Sequence, residues 1–324
     1  MPSKTTVSLI LLAAVAAVVG YHVWPNPPSQ GADTGIRPPG SAAPPEPTRG
    51  ASAHPLPATI VETAHYTIAS TATPERTERV AKAAESLYDA YVAFFGDSLN
   101  ARGNSPRLQL VLYRDRKQFK AHNRSSPWAE AYYLPPASHA YFDDSRPNPY
   151  HWMVHEATHQ LNREVANLSQ APWINEGVAT YFNASRIQDG KLQPGIVDTN
   201  TYPIWWLSTM KLSGNREEDI RAGRIIPLRK LIASGRVDIG GNVNLHYIEF
   251  WSLTHFLLHH DNGRFAGKYR ELMKTAGTLD DAERLLGPIE QLESPWYEHL
   301  RQQIGQLTDG PQDDASDVRW VSPS

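Results

Sequence analysis

The sequence predicts an α+β protein, with a small N-terminal mixed α/β-sheet layer (residues 58–147) packed on a mainly helical half (residues 148–308). Three observations point to this arrangement. Between residues 59 and 142, short runs of alternating or β-branched apolar residues are interrupted by two segments with helical spacing. From residue 149 onward, apolar residues recur every three or four positions, the period of one helix face. Residues 25–57 hold ten prolines among Gly, Ser and Ala, a composition that buries too little apolar surface to offset its ordering entropy.

In chain order, residues 59–61 and 65–68 read as strands. Thr73 is placed to cap a helix with Pro74 as its first residue, where a missing N–H costs nothing. Val80, Ala84, Leu87, Tyr91 and Phe95 keep the helical period, and Gly96 ends it. Residues 107–113 alternate, with Leu108, Leu110 and Leu112 on one face. Residues 115–122 read as a short helix, and residues 132–134 and 139–142 as strands around Pro135-Pro136. Asn148 as cap and Pro149 as first residue open a helix to about 165, and Pro172 opens a second to about 186. Further helices are expected over 245–260, 264–275 and 290–306, and residues 309–324 form an acidic flexible tail.

The 324 residues, 40% of them apolar, suffice for one large domain or two moderate ones. The net charge is −3 and no basic stripe occurs, which argues against nucleic acid as a partner. The absence of cysteine excludes disulfides, thiolate metal sites and cysteine nucleophiles. Residues 7–19 are nearly all apolar and follow Lys4, so residues 1–24 are expected to be a signal anchor or a cleaved signal peptide. Lys4 is the only positive side chain before Arg37, which orients the bulk of the chain outside the cytoplasm. The expected location is therefore the cell envelope, periplasmic or extracellular, with residues 25–57 as a spacer from a membrane. Cleavage of the N-terminal segment would make the protein secreted.

The chemistry concentrates in two runs. His155-Glu156-Ala157-Thr158-His159 spells H-E-x-x-H, and Trp173-Ile174-Asn175-Glu176-Gly177 follows it. Residues four apart share a helix face, so both imidazoles can hold one Zn²⁺ while Glu156 takes a proton from a water activated by the metal. Catalytic zinc ordinarily has three protein ligands. Glu176 is the best third, because the intervening residues allow a turn and a second helix. Glu164, five positions past His159 and about 140° around the helix, is a poor rival.

Together with Trp173 to Phe182, this pattern resembles the gluzincin zinc metallopeptidases, the group of thermolysin and aminopeptidase N, and especially the smaller peptidase MA-like proteins. The resemblance is specific over residues 150–183, loose over 246–258 and absent at the ends. It implies a zincin-type fold with a zinc cleft between the two halves. It assigns His155, His159 and Glu176 to one zinc ion and Glu156 as general base, with a peptide or protein substrate. The link between His159 and Glu176 is shorter than in the large aminopeptidases. No segment like G-A-M-E-N is found, so exopeptidase action is not implied.

Tyr247 is the candidate to stabilise a developing oxyanion, with His246 as a poorer alternative. His139 and Tyr141 are candidates for a strand beside the cleft to which substrate pairs. His259-His260-Asp261 reads as a helix C-cap, and Trp205-Trp206 as packing. The alternative to an enzyme is a catalytically inactive binding or scaffold protein that retained the fold. Hydrolysis of cell-wall peptides is a third reading, suggested by location alone.

Overall fold

A computed structural model of the chain describes residues 54–96, 107–127 and 129–309. The expected anchor or signal, residues 25–53 of the proline-rich spacer and the tail after Asp309 lie outside those residues. No helix among the described residues is long and apolar enough to cross a membrane.

The N-terminal layer is a five-stranded sheet built from β1 (Thr59–Glu62), β2 (Tyr66–Ser70), β3 (Leu108–Tyr113), β4 (Tyr132–Leu134) and β5 (Ala137–Tyr141). Its order is β1-β2-β3-β5-β4, with β2, β3 and β5 parallel and the two edge strands antiparallel. Helix α1 (Pro74–Phe95) follows β2, and its cap is the expected one, with the Thr73 side chain accepting from the Arg76 N–H. The period-2 alternation of the strands sorts their side chains between two faces. Ile68, Leu110, Leu112 and Ala140 join the main core with α1, while Val111, Tyr113 and Tyr141 form a smaller cluster with Phe119 of α2 (Arg116–His122).

The H-E-x-x-H helix, α3, spans His151–Gln160. It starts two residues later than expected. The Asn148 side chain accepts from the Tyr150 N–H instead of serving as the cap residue, which leaves Pro149 outside the helix. A π-turn, Leu161–Val165, continues α3 before α4 (Pro172–Asn183). Helix α4 ends three residues short of expectation, because residues 185–197 form a hairpin of β6 (Ser185–Gln188) and β7 (Lys191–Val197). Its two-residue turn, Asp189-Gly190, has φ of 51° and 74°, the geometry that matches the twist of adjacent strands. Asp-Gly between Ile187 and Leu192 was a readable hairpin signal.

The rest is helical, as expected, but more finely divided. Short helices α5 (Ile204–Leu207), α6 (Arg216–Arg221), α7 (Leu228–Ala233) and α8 (Arg236–Gly241) precede α9 (Val243–His259). Helices α10 (Ala266–Leu272), α11 (Leu279–Leu286) and α12 (Ile289–Asp309) follow. Helix α9 is buried almost all round, which explains an apolar pattern too broad for one face. It lies against α4 at Gly177, where a Cβ would come within 2.4 Å of Thr254 Oγ1 and 3.0 Å of the Phe250 carbonyl oxygen. The observed architecture is thus a small mixed sheet at the N-terminal side of a mostly helical body.

Candidate metal centre

Helices α3 and α4 bring three ligand atoms to one point. His155 and His159, one turn apart, turn their Nε2 atoms toward each other at 3.1 Å. Glu176 Oε2 lies 3.3 Å from the first and 3.5 Å from the second. The point equidistant from the three is about 1.9 Å from each, the circumradius of those sides, against roughly 2.0–2.1 Å for zinc–imidazole bonds. The group is buried and can hold a metal ion; among the described residues it is the one cluster of its kind. Glu164, the rival ligand, is elsewhere: its Oε1 accepts from the Tyr133 hydroxyl at 2.5 Å.

The outer hydrogen bonds settle which nitrogens face the centre. Asn183 Nδ2 donates to the Tyr202 carbonyl at 2.7 Å, so its Oδ1 is the end left for His155 Nδ1, 3.0 Å away. Asn175 Oδ1 accepts from Asn162 Nδ2 at 3.1 Å and faces His159 Nδ1 at 3.2 Å. Both imidazoles therefore carry their proton on Nδ1 and present the Nε2 lone pair inward. Two lone pairs and a carboxylate oxygen converging on one point repel each other unless a cation or a proton lies among them. Burial opposes a charge on His159, but Glu176 outweighs it and raises the pKa of that ring. The donor set, two imidazoles and one carboxylate with their outer partners in place, fits a divalent metal ion.

Glu156 lies on α3 beside the three and is 5% exposed. Its Oε2 accepts the Tyr133 N–H at 2.8 Å. Burial raises its pKa, against the lowering effect of His155 and His159. Tyr133 sits on β4, the sheet edge, and Ser138 and Gln160 tie α3 to the same sheet through β5, β3 and the β4–β5 turn. Ser138 Oγ donates to Gln160 Oε1 at 3.1 Å, and Gln160 Nε2 donates to the carbonyls of Pro136 and Gln109 at 2.8 and 3.1 Å.

Tyr247 is fully buried, and its hydroxyl donates to Glu176 Oε2 at 2.9 Å. It therefore touches the carboxylate of the candidate metal group directly. His246 is engaged elsewhere, with Nδ1 at the Asn242 carbonyl and Nε2 at Ser234. The expectation for His139 and Tyr141 is corrected. Strand β5 is paired on both sides and offers no free edge. Register places these two residues opposite Val111 and Tyr113, on the face turned toward α2 rather than α3. Tyr141 instead donates to Glu130 at 2.6 Å. Among the described residues the outer edge near the centre is β4, whose Tyr133 N–H meets Glu156.

Trp205 and Trp206 pack against the core as expected, and Trp205 and Trp152 flank Tyr202, whose ring lies 5.6 Å from Tyr247. The 259–261 run ends α9 as expected: His259 is its last residue and His260 its C-cap, whose N–H donates to the Phe256 carbonyl, while His259 Nε2 lies 3.0 Å from the Tyr181 hydroxyl. A groove of about 680 Å³ lies away from the metal centre, between β1, α1 and the β6–β7 turn, and none of the three ligands lines it.

Sequence reasoning assigned no role to Asn175, Asn183 or the Tyr133 N–H. Asn183 lies seven residues after Glu176, two turns along the same helix face, which was an available signal. The Tyr133 contact is made by backbone and leaves no signature in the sequence.

Residues 152–277 match a protein-family model described as "Protein of unknown function (DUF1570)". No curated protein matches the chain.

Proposed function

We propose that the protein is a zinc-dependent metallopeptidase, exported through its N-terminal apolar segment, that hydrolyses peptide bonds at the centre formed by His155, His159 and Glu176. The observation that carries this reading is the convergence of those three side chains with Glu156 alongside. When bound, zinc supplies Lewis acidity, polarising a carbonyl and lowering the pKa of water toward about 7.

The remaining chemistry belongs to the chain's own groups. Glu156 accepts the proton of the attacking water and delivers it to the leaving amine. The Tyr133 N–H holds Oε2 of that carboxylate, leaving Oε1 as the proton-carrying atom. Burial keeps the Glu156 pKa above the ordinary carboxylate value, which suits a group that must both take and return a proton. Tyr247 orients Glu176 through its hydroxyl, and Asn175 and Asn183 hold the imidazoles in the ligating tautomer.

The decisive experiment compares the wild type with Glu156→Gln for zinc content and for turnover of a peptide library. The expected result is equal zinc content and a rate about 10²–10⁴-fold lower in the variant, the usual worth of a general base. Zinc uptake without turnover of any peptide by the wild type would favour a binding protein instead, and equal rates in the two proteins would remove the mechanism.

A further inference from the structure

We propose that Asn162, held in the π-turn after α3, is a positioning residue of the metal centre, setting His159 through the Asn175 amide. This rests on the metal-centre reading above. An Asn side chain can present either its oxygen or its NH₂ to a neighbour, and the two ends have nearly the same shape. If Asn175 turned its NH₂ toward His159, Nδ1 would have to accept and the ring proton would move to Nε2, which could then no longer ligate.

A directed chain of hydrogen bonds prevents that rotation. The Tyr91 hydroxyl, on α1, donates to Asn162 Oδ1 at 2.7 Å. Asn162 Nδ2 donates to Asn175 Oδ1 at 3.1 Å, and that oxygen faces His159 Nδ1 at 3.2 Å. Tyr91 is fully buried and Asn162 is 2% exposed. Reversing the chain would leave the buried Tyr91 O–H without an acceptor, a cost on the order of 1–3 kcal/mol that sets its direction. Asn162 therefore stands between α1 and a metal-ligating ring with no ligand contact of its own. The π-turn has a part in this. The Ala166 N–H donates to the Leu161 carbonyl at 3.0 Å and the Leu168 N–H donates to the Asn162 carbonyl at 2.8 Å, so these backbone groups are satisfied without the Asn162 side chain, which bonds Asn175 and Tyr91. Such turns in helices are often found at functional sites.

The test measures zinc affinity of the full-length protein by competition with a chromophoric chelator. Asn175→Leu should weaken binding about 10–100-fold, the range for an outer-shell partner, and Asn162→Leu by up to about tenfold. The double variant should bind no more weakly than Asn175→Leu alone, because the two residues act in series. Tyr91→Phe removes one oxygen and serves if Asn162→Leu does not fold; its smaller loss should vanish in the Asn175→Leu background. Unfolding midpoints with excess chelator give a separate readout, since a purely structural Asn162 would move those and leave zinc affinity alone. Unchanged affinity in Asn162→Leu or Tyr91→Phe, or losses that multiply in the double variant, overturns the proposal. A wild type that takes up no zinc overturns the metal centre itself and this role with it, an outcome visible before any variant is made.

Discussion

At the scale of the residue, the centre depends on the orientation of two amides. Asn183 is the clearer case, because the Tyr202 carbonyl holds its NH₂ and leaves only its oxygen for His155. Asn183→Ala should lower zinc affinity about 10–100-fold while leaving the three ligands intact, as measured by chelator competition. An unchanged affinity would mean that His155 needs no orienting partner. Tyr247→Phe separates two roles for the tyrosine. Loss of an orienting bond to Glu176 weakens zinc binding, whereas loss of an oxyanion donor lowers kcat at unchanged zinc affinity. The 2.9 Å contact leads us to expect the first. The three side chains that converge and could hold a metal ion were legible in the sequence because they belong to local motifs on two helices. Their outer partners were legible only in part: the place of Asn183 two turns past Glu176 was a signal, but its bond to His155, 28 residues back, is made by the packing of α4 on α3.

At the scale of the element, the close approach of α4 to α9 holds Glu176 against Tyr247. Gly177 makes that approach possible. In an open helix, Gly→Ala would stabilise by roughly 1 kcal/mol. Here the new methyl meets Thr254 Oγ1 and the Phe250 carbonyl, and overpacking of that kind costs about 1–3 kcal/mol. Gly177→Ala is therefore expected to lower the urea midpoint and also to weaken zinc binding, since the neighbouring Glu176 moves with the helix. A gain in stability would show that α9 yields freely. The β6–β7 hairpin shows where local reading went wrong: an apolar helical period was extended past Asn183, although the Asp189-Gly190 turn demands positive φ at both residues. The hairpin is also tied to α1, with the Leu192 N–H donating to Ser86 Oγ at 2.7 Å.

At the scale of the whole molecule, buried histidines make stability depend on pH. Burial lowers the pKa of His299 to about 4 and that of His139 to about 3. His299 belongs to a cluster joining α9 and α12, with its Nε2 3.0 Å from His255 Nδ1 and His259 and His260 close by. Arg270 near His259, and Asp261 and Arg264 near His260, are the charges that face it. In the unfolded chain each ring takes a proton near pH 6.5, while the folded chain resists until the lowered values. Protons then bind preferentially to the unfolded state, so stability falls as pH drops below about 6.5 and continues to fall to about 4 for His299. Between pH 7 and 5 the loss from His299 alone should be roughly 1–2 kcal/mol. Urea melts at the two pH values should show it, and His299→Asn should reduce the difference. A midpoint independent of pH over that range would remove the effect.

Amphipathic period, capping residues and two short motifs were enough to name the main elements and the three side chains that converge, because each is written within a stretch of about twenty residues and obeys helix or strand geometry on its own. Contacts made at long range or by backbone were another matter. Which face of β5 looks toward the centre, which edge of the sheet is open, what holds each imidazole and what Tyr247 touches all follow from strand register and from α4 lying against α9. Those outcomes depend on side chains and peptide groups brought together by packing, and no local pattern of residue types encodes them.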